Sequence, residues 1–458
     1  FLKKIFDKDQ KNIVLLVLDA WSADLIYDYN EEAKNKFSFI NKLDATVYDN
    51  FRTIYPHTAH FFKFFYSGKP AVKNFDQALQ KNKIDFSKSF ETNFIKTLQD
   101  KGINFRLFTF HRAAIPEGTD FGIKNYKGLR SYYLTEQTAF IPRFLNLEYN
   151  PLNSTSKSIT KKLKYNFSKY IKNKTINKNK SNDLEVLLIP ELKKIINEEK
   201  NFLYIYHQRW DQVIDGADFL NYYDPEEEFS RKDECHQYNK RMKKKDMTYS
   251  DEFAKNCIEY INDLKQKASD LLTENLEKFF KENDNFIKKN NIEFIILSDH
   301  GYMTRDNKMS YGFHFEEYAV KTPMMVFDGG KTKISKNFFT LDLIGYILKN
   351  YGIDPNHLYK YANPLKYADQ NKFYTFSIIR KGQYFKNWYL SYYDQNEKRT
   401  LNLHPENVGD FSAYEIEGFK EKKIGNNFTD KDKEIFSEIF KLIDLDKNQV
   451  SKNLHYLF

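Results

Sequence analysis

Ile292-Glu293-Phe294-Ile295-Ile296-Leu297-Ser298-Asp299-His300-Gly301 is the stretch from which the rest of this chain is read. Six mostly apolar residues, bounded by polar ones, have the length and composition of a buried parallel strand. In open α/β sheets sites lie beyond the carboxyl ends of the strands, so the Asp-His pair stands where chemistry is expected. A carboxylate beside an imidazole suits a divalent cation. The plainer alternative is an aspartate capping the next helix beside an unrelated surface histidine.

A second run of the same kind, Asn12–Leu18 (NIVLLVL), also ends on a carboxylate, Asp19, followed by Ala20-Trp21-Ser22-Ala23-Asp24. Two strands thus deliver acids to one edge. Between them a helical pattern near residues 90–101, strands near 105–109 and 202–206 and a helix over 252–281 alternate, which predicts a parallel sheet covered by helices on both faces. After Tyr367 the pattern changes to short alternating segments at 373–380, 383–393 and 399–403, then an amphipathic helix near 430–443. The expected fold class is therefore α/β, a large mostly parallel sheet sandwiched by helices with a small C-terminal antiparallel sheet subdomain. The expected division is residues 1–366 for the larger domain and 367–458 for the smaller. Polar, charge-rich insertions fall at about 150–183 and 220–248.

At 458 residues the chain can bury a large core, and its formal charge of +9 suits anionic ligands. Lysine is mixed with abundant Asn, Ile, Phe and Tyr, a skew that nucleotide bias alone produces, so the charge is no argument for nucleic acid. Cys235 and Cys257 form no CxxC pair and offer neither a zinc knuckle nor a disulfide framework. Two ordinary thiols are the expectation, with a single bridge in an oxidising compartment left open. No apolar run reaches the length of a membrane span, and no signal-peptide pattern is present. A soluble, cytoplasmic domain is the expectation. Because the chain opens on Phe1 and not Met, an anchor or leader that places it outside the cytoplasm stays open, as does membrane association.

Tyr55-Pro56-His57-Thr58-Ala59-His60 leads into an aromatic helical run that ends at Ser67-Gly68. A hydroxyl at such a helix start lies where backbone N–H groups and the helix dipole stabilise an anion. Thr58 is on this ground a candidate metal-activated nucleophile; its plainer reading is an N-cap threonine. The aromatics of residues 61–66 read as core and not as a binding platform.

Asp19 after the first strand, a hydroxyl nine residues before Ser67-Gly68 and the late Ser298-Asp299-His300-Gly301, taken together, resemble the alkaline phosphatase and sulfatase superfamily. The resemblance is collinear. Residues 98–122 are similar to the family's segment after the nucleophile helix, 315–326 to the stretch before its next core strand and 341–355 to the helix that follows. Ile378-Ile379-Arg380-Lys381-Gly382-Gln383-Tyr384, with Tyr392-Tyr393-Asp394 and Leu401-Asn402-Leu403, is similar to the C-terminal subdomain of sulfatases.

One departure redirects the expected chemistry. Sulfatases carry a Cys or Ser that becomes formylglycine, with Pro two positions on and Arg four; here those positions hold Thr58, His60 and Phe62. Oxidising a secondary alcohol gives a ketone, so threonine cannot become formylglycine. Threonine nucleophiles in the superfamily belong to phosphodiesterases and to phosphoethanolamine and phosphoglycerol transferases. The resemblance thus implies a metal-dependent phosphotransferase or phosphoric ester hydrolase, with Thr58 carrying a covalent phosphothreonine. The expected partners are a phosphorylated donor and a glycan or lipid acceptor. The alternatives are a phosphodiesterase, phosphatase or sulfuric-ester hydrolase of the same superfamily and, from another class, an inactive sulfatase-like binding module.

Asp19, Thr58, Asp299 and His300 supply three oxygens and one nitrogen, a set suited to Zn²⁺ or Mn²⁺. Asp211-Gln212-Val213-Ile214-Asp215 resembles the family's Asp-x-x-x-His motif with Asp215 in place of the histidine. Asp211, Asp215 and His314 could hold a second cation, as in-line phosphoryl transfer uses. In the one-ion alternative, His207 and His314 bind phosphoryl oxygens or protonate the leaving group. His111 and Arg112 stand roughly where sulfatases place a Lys and a His around the anion, which makes them candidate substrate-binding residues.

Overall fold

The computed structural model describes residues 12–26, 45–68, 93–109, 188–198, 201–208, 252–303, 310–311, 316–327, 330, 332–334, 338–355, 372–381, 384–394, 396–403 and 410–442. The chain runs through β1 (Asn12–Leu18), β2 (Thr46–Tyr48), β3 (Phe51–Arg52), α1 (Thr58–Ser67), α2 (Asn93–Asp100) and β4 (Asn104–Thr109). Next come α3 (Ile189–Glu198), β5 (Phe202–Gln208), α4 (Glu252–Lys289), β6 (Ile292–Leu297), β7 (Tyr302–Met303) and β8 (Ser310–Tyr311). They are followed by α5 (Glu317–Val320), β9 (Met324–Phe327), β10 (Thr332–Ile334), β11 (Phe338–Phe339) and α6 (Thr340–Asn350).

Seven of these strands form the main sheet in the order β10-β2-β9-β6-β1-β5-β4. β1 is parallel to β6 on one side and to β5 on the other, and β4 is parallel to β5. β9 runs against both of its neighbours, β6 and β2. Successive side chains of a strand point to opposite faces, and β1 separates cleanly: Ile13, Leu15 and Val17 enter one core, Val14, Leu16 and Leu18 the other. Phe61 of α1, Leu98 of α2 and Ile344 of α6 complete the first core; Leu192 of α3 and Phe279 of α4 complete the second. Burial on both faces is why β1 and β6 are continuous apolar runs and do not alternate with polar residues.

Helix α1 is apolar nearly all round, with Phe61, Phe62, Phe64, Phe65 and Tyr66 all buried, as the sequence reading expects. It stops at Gly68, whose φ of 69° lets its N–H turn back onto the Phe64 carbonyl.

The C-terminal part forms a five-stranded antiparallel meander of β12 (Lys372–Lys381), β13 (Tyr384–Asp394), β14 (Glu397–Asn402), β15 (Phe411–Glu417) and β16 (Lys420–Gly425). Helix α7 (Asp430–Leu442) follows, opened by a reciprocal cap in which Thr429 N–H donates to Asp432 Oδ2 and Asp432 N–H donates to Thr429 Oγ1. Leu390, Tyr393, Leu401 and Phe436 join the first core, so the small sheet shares apolar interior with the α1 side of the large one. Sequence reading foresees three of the five strands. β16 escapes it because Lys-Glu-Lys-Lys-Ile-Gly is a charged, largely exposed edge with no apolar rhythm. The insertions at about 150–183 and 220–248, and Cys235, lie outside the described residues. Among the described residues no helix is long and apolar enough to cross a membrane.

Candidate active site

Strand register assembles the site. Val17 of β1 lies level with His207 of β5 and with Leu297 of β6, and His207 lies level with Thr109 of β4. Asp19, Thr109, His207, Asp299 and His300 therefore converge at the carboxyl edge of four adjacent parallel strands. Thr58, the first residue of α1, faces them, and all six are buried.

Thr58 Oγ1 lies 3.1 Å from His300 Nε2 and 3.4 Å from Asp19 Oδ1. His300 Nε2 is 3.5 Å from Asp19 Oδ1 and 3.6 Å from Asp299 Oδ2, and His207 Nε2 is 3.9 Å from Asp19 Oδ2. The capping position of α1 belongs to His57, which makes no side-chain cap bond. The Thr58 hydroxyl thus points to the acids and imidazole and does not act as the N-cap of the plainer reading.

Backbone conformation aims the carboxylates. Ala20 takes φ of 63°, a strained value for a residue with a Cβ, and its N–H donates to Asp299 Oδ1 at 3.1 Å. The His300 N–H donates to the same oxygen at 3.0 Å, while the buried Oδ2 accepts no hydrogen bond. Ser298 Oγ accepts the Trp21 N–H at 2.8 Å and donates to the His300 carbonyl at 2.7 Å, tying the loop after β1 to the loop after β6. Trp21 is held in turn by its Nε1–H donating to Ser269 Oγ of α4 at 2.9 Å.

Gly301 passes against α5: its N–H donates to the Ala319 carbonyl at 2.7 Å, and a Cβ there would collide with the Tyr318 carbonyl oxygen. Gly301→Ala is expected to lower the unfolding free energy by about 3 kcal/mol or more, read by urea denaturation, because backbone and not a flexible side chain occupies the space.

His300 Nδ1 lies 2.9 Å from the Gly301 carbonyl. A carbonyl only accepts, so Nδ1 carries the proton and Nε2 turns its lone pair to Thr58 and the two acids. His207 Nδ1 lies 2.7 Å from Thr109 Oγ1, and its ring packs on Phe62 at 4.7 Å between centroids. When Nδ1–H donates to that hydroxyl, Nε2 likewise presents a lone pair to the acids. Ligand atoms of Asp19, His207 and Asp299 all lie within 4.8 Å of one another. Two carboxylates and an imidazole in a buried cluster, with one carboxylate oxygen that accepts no hydrogen bond, fit a divalent cation.

Beside the site, His57 Nδ1 lies 3.0 Å from His60 Nδ1, and the His57 ring stacks along that of His300 with centroids 6.5 Å apart. Burial, and secondarily the charge of Lys63, pushes His60 down from 6.5 to about 3. Between these values the unfolded chain binds a proton that the folded one refuses. The contribution of His60 is thus full above pH 6.5 and is lost as pH falls towards about 3, by up to roughly 1.4 kcal/mol per pH unit. His60→Phe is expected to flatten that part of the stability profile of the metal-free protein, measured by denaturant titration at successive pH values.

The structure places Asp19, Thr58, Asp299 and His300 side by side, with His207 next to them. Thr109, Ser298 and Ser269 support them without having been singled out in the sequence. Thr109 and His207 share a register level, a signal that exists only once β4 and β5 are known to pair. His111, Arg112, Asp211, Asp215 and His314 lie outside the described residues.

No protein-family model and no curated protein sequence matches the chain. Solved structures do. A 2-O GAG sulfatase superposes with a TM-score of 0.53 at 12% identity, covering 95% of this chain and 91% of its own. The phosphonate monoester hydrolase of Agrobacterium radiobacter gives 0.53 at 10% identity over 97% of each chain. That of Silicibacter pomeroyi gives 0.52 at 9% identity over 89% of each. Across nearly its whole length, this chain has the fold of these sulfatase and phosphonate monoester hydrolase structures.

Proposed function

We propose that this protein transfers a phosphoryl or substituted-phosphate group through Thr58, with a divalent cation, Zn²⁺ or Mn²⁺, held by Asp19, His207, Asp299 and His300. The observation that carries the reading is the Thr58 hydroxyl at a helix start, buried within 3.4 Å of His300 and of Asp19, the latter one of three residues grouped as a cation site would need. The similar structures are those of a GAG sulfatase and of phosphonate monoester hydrolases. Threonine, which cannot form formylglycine, directs the proposal to phosphorus and away from sulfate.

When bound, the cation supplies Lewis acidity and lowers the pKa of a coordinated hydroxyl. Thr58 Oγ1 forms a bond to phosphorus while the bond from phosphorus to the leaving oxygen breaks. The hydroxyl proton goes to Asp19 Oδ1, because the lone pair of His300 Nε2 is the one that would hold the cation, and the leaving oxygen takes up a proton from water in turn. The dipole at the α1 N-terminus, where Thr58 stands, favours the negative charge that accumulates on the phosphoryl oxygens. A glycan or lipid hydroxyl, or water, then takes the phosphoryl group and returns Thr58 to its hydroxyl form.

His207 is assigned to the cation and not to the leaving group because its Nε2 faces Asp19. Substrate contact by His111 and Arg112, and a second cation on Asp211, Asp215 and His314, remain part of the proposal through the family resemblance. So does the division of the chain at residue 366.

The test is metal analysis of the purified protein, with intact-mass measurement after incubation with phosphodiester donors. A bound metal and a covalent adduct support the reading, and the adduct's mass identifies the transferred group. Persistence of the adduct until a glycan or lipid alcohol is added supports a transferase; rapid loss to water supports a hydrolase. A folded protein with neither metal nor adduct is the binding module.

A further inference from the structure

Residues 316–322 touch three parts of the molecule at once. The Ala319 carbonyl accepts the Gly301 N–H, and Tyr318 closes the space beside that glycine, one residue from His300. The Val320 carbonyl accepts the Thr53 N–H at 2.8 Å, and the Thr322 N–H donates to the Phe51 carbonyl at 3.1 Å, so the segment also holds β3 on its approach to Thr58. Arg52 reinforces this with Nε donating to Glu317 Oε2 at 2.9 Å, both side chains being buried.

The third contact comes from the C-terminal sheet. Glu421 of β16 accepts the Glu317 N–H at 2.8 Å, at the start of α5, and the Lys398 ammonium of β14 at 2.7 Å. Phe419, just before β16, stacks on Tyr318 with centroids 5.2 Å apart and planes 13° apart. Burial alone would raise the Glu317 carboxyl; the charges of Arg52, Lys398 and Lys321 outweigh it and hold the group below the usual carboxylate range. Charge from β3 and from the C-terminal sheet therefore meets on one short helix whose far side lies against the loop that bears His300.

We infer that Glu421 of the C-terminal sheet is a positioning residue for the site: by fixing the Glu317 end of α5 it holds residues 318–319 against Gly301 and so sets His300 relative to Thr58. The consequence for metal binding rests on the reading under Proposed function; the coupling itself does not. The loop after β6 meets α5 through Gly301 and β7, and its start is tied to the chain after α5 by Thr322 Oγ1 donating to the Ser298 carbonyl at 3.2 Å, so loosening α5 frees it locally while β6 stays paired with β1 and β9.

The experiment is hydrogen exchange on the metal-free full chain, with calorimetric Zn²⁺ titration of the same samples, for wild type, Glu421→Ala, Glu421→Gln and Ile439→Ala. Glu421→Ala is expected to speed exchange in residues 298–303 about tenfold, leave residues 292–297 unchanged and weaken Zn²⁺ binding about tenfold. Glu421→Gln keeps an oxygen for the Glu317 N–H and is expected to stay near wild type. Ile439→Ala, in the buried face of α7, is expected to lower the melting temperature while leaving exchange at 298–303 unchanged. Unaltered exchange at 298–303 in Glu421→Ala, or equal acceleration in Ile439→Ala, overturns the inference. Should Glu421→Ala not fold, Phe419→Leu, which removes the stack on Tyr318 and the ring under the Lys321 ammonium, both contacts to residues 318–321, decides by the same exchange readout. A wild type that binds no Zn²⁺ sinks the proposed function, while the exchange arm still decides the coupling.

Discussion

Thr58→Ala is expected to lower turnover of a phosphodiester by about 10³-fold or more and to abolish the covalent adduct, with little change in unfolding free energy. The two halves of this expectation have separate causes. Removing the hydroxyl removes the only proposed atom that bonds phosphorus, so what survives is binding and electrostatic stabilisation without a nucleophile. The fold loses little, because the hydroxyl caps nothing: its neighbours are His300 Nε2 and Asp19 Oδ1, and the capping position belongs to His57. Thr58→Ser keeps the oxygen and is expected to retain the adduct at a reduced rate, since the lost methyl group loosens a buried side chain. Initial rates together with intact mass check both variants. A Thr58→Ala protein that turns over at the wild-type rate would remove Thr58 from the mechanism.

Asp299→Asn should move metal affinity and stability in opposite directions. The Asn oxygen can still accept the Ala20 and His300 N–H groups that now converge on Oδ1, so the loop keeps its shape. What disappears is a buried negative charge whose second oxygen accepts no hydrogen bond and sits among Asp19, His207 and His300. Without a cation, two carboxylates in a buried cluster repel and are poorly solvated; replacing one by an amide is expected to raise the metal-free unfolding free energy by about 1 kcal/mol. With a cation the same change removes a ligand, and Zn²⁺ or Mn²⁺ binding should weaken by more than the roughly 10–100-fold that loss of an outer hydrogen-bonding partner costs. Calorimetric titration and thermal unfolding in the presence and absence of chelator measure both. A variant that binds metal as tightly as wild type, or melts lower without metal, contradicts the assignment of Asp299.

Some of this was legible from residues alone, for a physical reason. A strand buried on both faces must be apolar throughout, so Asn12–Leu18 and Ile292–Leu297 stand out as runs, and the first polar residues after them mark the sheet's carboxyl edge. Asp19, Asp299 and His300 are found that way. Thr58 is found from the helix it opens, whose aromatic run ends at a glycine. The segments of β12 to β14 alternate in the sequence; β16, Lys-Glu-Lys-Lys-Ile-Gly, shows no such rhythm.

The sequence by itself therefore determined the fold class, the strands that carry the acids and the hydroxyl that opens the aromatic helix, because burial and backbone geometry impose local patterns. Only the tertiary structure decided which groups meet. Thr58 and His300 are 242 positions apart, Ala20 and Asp299 279, and Thr109 and His207 98. Their contacts follow from parallel register and crossover connections, which leave no mark on the neighbouring residues. The same holds for Glu421 on α5: a surface-like lysine-rich strand becomes, through one carboxylate and across a separation of 104 positions, a support for the loop that bears His300.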